Sequence, residues 1–134
     1  MRDGMPVRGF TLIELLVVLF LVGLLTAVVF PSMERMARSS QLKTERDAIV
    51  GRLGELGYKA FLSGKSITLS SSASAVRGSY PIDLPEGWEL RVTRPVVFLF
   101  NGICGGGEVT LVAPDNVLEK FNLAPPSCEP RSGN

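Results

Sequence analysis

Residues 9–30 read GFTLIELLVVLFLVGLLTAVVF. From Leu12 to Phe30 the only ionisable side chain is Glu14, and from Leu15 onward only Thr26 is polar. A run of this length approaches the ~20 residues that span a bilayer core. A core helix of a soluble domain keeps a polar face, and this run has none for about four turns at ~3.6 residues each. The stretch therefore reads as a membrane-spanning helix. It raises a physical question, because an ionised carboxylate in the bilayer interior costs roughly 2.5–3.5 kcal/mol on insertion scales.

The residues before the run, 1–9, are short and polar and carry Arg2 and Arg8. They resemble a basic leader, but the apolar run is too long for the hydrophobic region of a signal peptide. The small-x-small cleavage pattern is also missing after Phe30, so a conventional cleaved and secreted chain is disfavoured. Charge alone does not orient the segment. Arg35, Arg38, Lys43 and Arg46 follow it closely, and a naive positive-inside count puts the C-terminal part in the cytoplasm. Cys104 and Cys128 argue the other way, since in an exported domain such a pair forms a disulfide in preference to free thiols. A bridge closing that loop stabilises by roughly 3–4 kcal/mol in the chain-entropy model.

The chain of 134 residues suits one small folded domain besides the apolar run, and its net charge of +1 gives no basic excess that would point to nucleic acid or anionic lipid as a main partner. There is no histidine, which removes histidine triads, most zinc sites and the usual general base near neutral pH. No convergent catalytic set replaces it, and Asp83, Glu86 and Glu89 read as a solvated turn and strand face. The expectation is a protein that is not an enzyme and has no cofactor or metal.

Beyond Pro31, which should kink or locally break the helix, a helical pattern resumes. Ile49, Leu53, Leu56 and Ala60 recur at spacings of four, three and four, which stacks them on one face. Glu34, Arg35, Arg38, Lys43, Glu45, Arg46 and Asp47 supply a wet surface. One helix from Phe10 to about Leu62 would run on the order of 80 Å at ~1.5 Å per residue. Gly51, Gly54 and Gly57 weaken its last turns, and either close approach of a sheet or fraying accounts for them.

After Gly64 the pattern turns to strands. Residues 67–69 form a short one, followed by a Ser-rich turn over 70–74. Residues 88–93 alternate, with Trp88, Leu90 and Val92 inward. Residues 96–100 are apolar on both faces and read as a central strand. Asn101 and Gly102 open a turn, Gly105 to Gly107 extend it, and 108–112 return as the hairpin partner. The tail, with Pro125, Pro126 and Pro130, reads as irregular coil pinned by Cys128. The expected fold class is α+β, with a long N-terminal helix, membrane-spanning in its first half and amphipathic in its second, packed on a small antiparallel β-sheet domain.

The residues now carry a resemblance. Arg8, Gly9, Phe10, Thr11, Leu12, Ile13 and Glu14, with the apolar run and Pro31, resemble the processing site of type IV pilins and type II secretion pseudopilins. The resemblance implies cleavage by a prepilin peptidase between Gly9 and Phe10 and N-methylation of Phe10. It also implies a single-pass bacterial inner-membrane protein with its C-terminal domain in the periplasm. The divisions are then 1–9 as leader, 10–31 as transmembrane and assembly helix, 32–62 as amphipathic continuation and 63–134 as β-rich domain. Cleavage supplies a cation at the depth of Glu14, the amine of Phe10, whose reference pKa is ~7.7–8.0. Glu14 is therefore read as an assembly contact that sets the axial register of neighbouring helices. Snorkelling of the carboxyl to the headgroups is the competing reading.

A second resemblance narrows the expectation. Phe98 to Gly102, then Gly105 to Leu111, are similar to the F-x-x-x-G…GG-x-V-x-L hairpin of GspH/FimT-type minor pseudopilins and minor pilins. A phosphate-cradling loop is disfavoured because no Lys-Ser/Thr follows the glycines. Asp115, Glu119 and Glu129 lack calcium-ligand spacing, against a major subunit. The implied function is that of a minor pseudopilin in a type II secretion system, at or near the tip of a short periplasmic pseudopilus that drives protein export. Its partners would be the peptidase, major and minor pseudopilins, the inner-membrane assembly platform, and membrane lipid before assembly. The alternative is a minor type IV pilin for pilus assembly, adhesion or DNA uptake, for which Arg77, Arg91, Arg94 and Arg131 are the basic residues.

Overall fold

A computed structural model describes residues 4, 8–76 and 78–133. Among them the chain forms α1 (Leu12–Gly54), α2 (Leu56–Ser63), β1 (Ile67–Leu69), a 3-10 turn (Ser72–Ser74), β2 (Glu89–Val92), β3 (Val96–Phe98), β4 (Gly107–Val112), β5 (Leu118–Leu123) and β6 (Pro130–Ser132). The class is α+β, with the end of a long N-terminal helix packed on small antiparallel sheets, as the sequence predicts. The chain divides into two units, Met1–Ser40 and Gln41–Asn134, with the boundary inside α1.

In the first unit the described side chains are exposed, and an 18-residue window of α1 reaches a mean hydropathy of 2.9 with none of it buried. Pro31 lies inside α1 without interrupting it, against the expected local break. A proline removes one backbone donor from the ladder, and the bonds on either side carry the helix through. The interruption comes instead at Glu55, after Gly51 and Gly54, where its amide is shared between the carbonyls of Gly51 (3.2 Å) and Arg52 (3.3 Å). Of the two readings of the glycines, close approach holds at Gly57: a Cβ there would stand 3.1 Å from the Gly102 carbonyl oxygen.

In the second unit Ile49, Leu53, Leu56 and Ala60 are all fully buried, so the helical spacing of the sequence does mark the core face. They meet Leu69, Val96 and Phe98 of a two-stranded sheet, β1-β3, and Leu90, Val109, Leu111, Phe121 and Leu123 of a four-stranded antiparallel sheet ordered β2-β4-β5-β6. Trp88 and Leu90 point inward, and Val92 is half-buried. The Ser-rich turn closes the outer edge of β2. Ser71 Oγ accepts from the Val92 amide (2.9 Å) and donates to its carbonyl (3.2 Å), and Ser72 Oγ does the same at Leu90 (3.0 and 3.4 Å). Two hydroxyls thus stand in for a neighbouring strand on an edge that would otherwise be open.

Three strand expectations are corrected. Residues 96–100 are not a central strand: β3 stops at Phe98 and its ladder is with β1, while Leu99 and Phe100 are exposed. The turn at Asn101 and Gly102 forms, with the Gly102 amide on Leu99 O (2.9 Å) and the Leu99 amide on Ile103 O (2.8 Å). Its return arm, however, is 103–105, where the Gly105 amide reaches Val97 O (3.1 Å), and β4 departs to the other sheet. Gly106 makes the passage at φ 81°, where a Cβ would lie 2.7 Å from Pro125 Cδ. Finally, the tail is not irregular throughout. Residues 118–123 pair with β4, and Pro130–Ser132 adds an edge strand whose first residue is the proline, a position that tolerates the lost donor.

Candidate functional site

Within the first unit, Arg8, Gly9, Phe10, Thr11 and Glu14 line one exposed recess, so the residues of the expected cleavage site and the lone acid are adjacent. Thr11 precedes α1 and its carbonyl accepts the first helical bond, from Leu15 N at 3.3 Å. Its hydroxyl accepts from Glu14 N (3.4 Å), and a Glu14 carboxylate oxygen accepts from Thr11 N (3.3 Å). This reciprocal pair is a capping box, which satisfies two of the donors that every helix N-terminus leaves open. Thr11 is a functional residue that the reading of Glu14 passed over. The Thr-x-x-Glu spacing ahead of an apolar run was the available signal. The carboxylate also stands at the N-terminal, positive end of the helix dipole.

Further along α1, in the second unit, Glu45 and Arg46 are not the wet surface that the sequence predicts. Glu45 accepts the indole N–H of Trp88 at 2.6 Å and the Gln41 amide at 3.0 Å, and these bonds, Trp88 first, hold its carboxyl below the ordinary value. Arg46 binds Glu119 through two nitrogens, Nε at 2.8 Å from Oε2 and Nη2 on Oε1, and lies 5.4 Å from the ring centre of Phe121. The Glu119 bonds, with Asp47 adding to them, raise the guanidinium pKa further, and the bonds from Arg46 lower that of Glu119. The strand register explains the need. Glu119 opposes Leu111, which opposes the buried Leu90, so the acid occupies the helix-facing side of β5. Two consecutive helix residues therefore pin α1 at two points across the sheet, through Trp88 before β2 and through β5.

Cys104 and Cys128 are bridged, Sγ–Sγ 2.05 Å with Cα atoms 5.9 Å apart, and both are buried. The bridge ties the return arm after β3 to the segment between β5 and β6. There the Cys104 amide donates to Pro126 O (2.9 Å) and the Cys128 amide to Ala124 O (2.8 Å). Asp115 accepts from the Val117 amide (3.3 Å) in the β4–β5 turn, while Glu119 is held by Arg46. Among the described residues, Arg91 is on β2 and paired with Glu89 (3.0 Å), Arg94 follows in the turn before β3, and Arg131 is on β6 at the opposite edge of the sheet from β2; Arg77 lies outside the described residues, as does Arg2 of the leader.

No curated protein and no solved structure matches the chain. Residues 5–30 match the family model described as "Prokaryotic N-terminal methylation motif". The match supports a type IV pilin-like or pseudopilin protein with a prepilin signal, and with it processing by a prepilin peptidase, membrane anchoring through the apolar helix, and assembly with other pilins.

Proposed function

We propose that this chain is a minor pseudopilin of a type II secretion system, a structural subunit with no catalytic role. The membrane stores it, a prepilin peptidase cuts between Gly9 and Phe10 and methylates the new amine, and an assembly platform draws it into a short filament. The observation that carries the reading is a methylation motif over 5–30 in register with a helix whose first turn holds Glu14. With the leader removed, the Phe10 amine is four residues before Glu14, just ahead of the helix. A neighbouring chain's Phe10 amine can then compete with the Thr11 amide for it, which gives a subunit leaving lipid a charged partner and a register.

The minor rather than major assignment rests on the similarity of 98–111 to the GspH/FimT pattern. It also draws on Asp115 and Glu119, which are engaged in a turn and an ion pair and so are committed elsewhere than in a cation loop. The domain between the apolar helix and the C-terminus is proposed to lie in the periplasm, where a bridge between Cys104 and Cys128 persists.

The deciding experiment is a clean deletion in the host, complemented by the wild-type chain. Loss of exported enzyme from the medium, with pili and DNA uptake intact, is the expected result. Loss of pili or transformation with normal export assigns the chain to a type IV pilus instead.

A further inference from the structure

We infer that the exposed apolar face built by α2 and the turn after β3 is a docking surface for an anionic bilayer. On α2, Leu56, Gly57 and Ala60 are buried, and the opposite side presents Tyr58, Phe61 and Leu62 at spacings of three and four. These three are 64%, 59% and 64% exposed. The turn after β3 adds Leu99, Phe100 and Ile103, also exposed. It seats directly beside the helix, since a Cβ at Gly102 would lie 3.6 Å from Phe61 Cβ. Six large exposed apolar side chains thus lie on two adjoining elements, the kind of surface that marks an interaction site.

Charge decides the occupant. The chain is nearly neutral as a whole, but residues 56–82 and 94–107 contain no aspartate or glutamate. Lys59 and Lys65 are exposed on and just beyond α2, and the nearest acid in sequence is the exposed Glu55, the residue that precedes that helix. Aromatic and aliphatic tips flanked by lysines, with a single acid at the margin, are the composition of segments that lie in the headgroup layer. The lysine stems reach along apolar surface while the ammonium groups meet lipid phosphates. One such contact is weak alone, but a chain already held at a membrane by an apolar helix presents it at high effective concentration. The inference rests on that anchoring and not on which filament the subunit joins. Docking would hold the folded unit on the bilayer before assembly and release the same apolar face when the subunit is extracted.

The test uses the full chain reconstituted in vesicles of phosphatidylcholine alone or mixed equally with phosphatidylglycerol, each doped with two probes, a lipid bearing a diazirine at headgroup level and one bearing it in the acyl chain. Adducts are located by peptide mapping. Labelling of 12–30 is expected in both lipids. Labelling of 58–62 and 99–103 is expected to be at least about threefold higher with phosphatidylglycerol, given the attraction of anionic lipid for each lysine. The double variant Lys59→Glu/Lys65→Glu should lose that gain. The variant Phe61→Ser/Leu62→Ser/Phe100→Ser should lose the patch adducts in both lipids, with its circular dichroism and Cys104–Cys128 bridge unchanged. Labelling confined to 12–30, equal patch labelling in the two lipids, or chain-to-chain crosslinks through the patch without lipid adducts each overturn the inference, the last in favour of a protein occupant. Absence of adducts at 12–30 overturns the membrane anchoring itself, and this inference with it.

Discussion

Arg46 and Glu119, 73 positions apart in sequence, meet in a two-pronged ion pair that joins the helix to β5, with Nε 2.8 Å from Oε2. Both side chains keep about a third of their exposure, so the pair is partly screened by water. We expect Glu119→Gln or Arg46→Met to lower unfolding stability by about 1 kcal/mol, the upper part of the range for such pairs because the geometry is bidentate. A double-mutant cycle by urea denaturation in detergent measures the coupling, which should shrink in high salt. A coupling of zero would mean that the pair is formed but silent.

Acid should loosen the same attachment. Glu45 and Glu119 both titrate below the ordinary carboxylate value of 4.5 when folded, Glu45 through Trp88 and Gln41 and Glu119 through Arg46. A lowered folded pKa means that the unfolded chain binds the proton first, so their contribution is complete above the unfolded value and is lost as pH falls through the folded one. Trp88 is the only tryptophan, so its fluorescence reports the Glu45 bond selectively. The emission is expected to change below pH about 4.5, ahead of global unfolding, and Glu45→Gln should abolish that early step.

Tyr80 should mark the alkaline limit. Burial raises its phenol to about 12, and its hydroxyl donates to Ser70 O at 2.6 Å. A raised folded pKa contributes stability that is complete below the unfolded phenol value of ~10 and lost as pH climbs through the folded one. Tyr80→Phe should remove this alkaline loss in a stability profile followed by circular dichroism.

The bridge between Cys104 and Cys128, separated by 24 residues, holds the segment that leads into β6. Replacing both by alanine is expected to cost about 3 kcal/mol by loop closure in the unfolded chain. Denaturant midpoints give the loss, and hydrogen exchange should show β6 opening before β4 and β5.

Glu14 caps the helix and is proposed to be an assembly contact as well, and substitution should distinguish the two. Glu14→Leu should insert in membranes at least as well as the native chain, since a charge leaves the apolar run. It should still be cleaved, because Gly9 and Phe10 are untouched. Incorporation into sheared filaments should fall, with Glu14→Gln intermediate. Thr11→Ala removes half of the capping box while leaving the carboxylate, a local loss of about 1 kcal/mol, so its incorporation should stay nearer to native than that of Glu14→Leu. A Glu14→Leu chain that is processed and incorporated normally would reject the assembly contact and leave snorkelling or capping alone.

How much was legible follows from how local each signal is. The apolar run over 12–30 and the Thr11–Glu14 spacing lie within single helical segments, so their chemistry can be read without knowing the fold. The same holds for Ile49, Leu53, Leu56 and Ala60, whose period of ~3.6 is imposed by one helix on itself. The strand partners had no such guarantee. Residues 96–98 and 107–112 are near in sequence and both read as strands, yet β3 pairs with β1 and β4 with β2 and β5, because Gly105 to Gly107 carry the chain between sheets. The β4–β5 hairpin was hidden for a related reason. In LEKFNL only Phe121 and Leu123 show an apolar alternation, and the next inward position is Glu119, which reads as a solvated acid. What allows an acid on that face is Arg46, one turn before Ile49 on the helix. A partner supplied from the far end of the domain leaves no mark in the six residues of the strand, and only the packing of α1 across the sheet brings the two together.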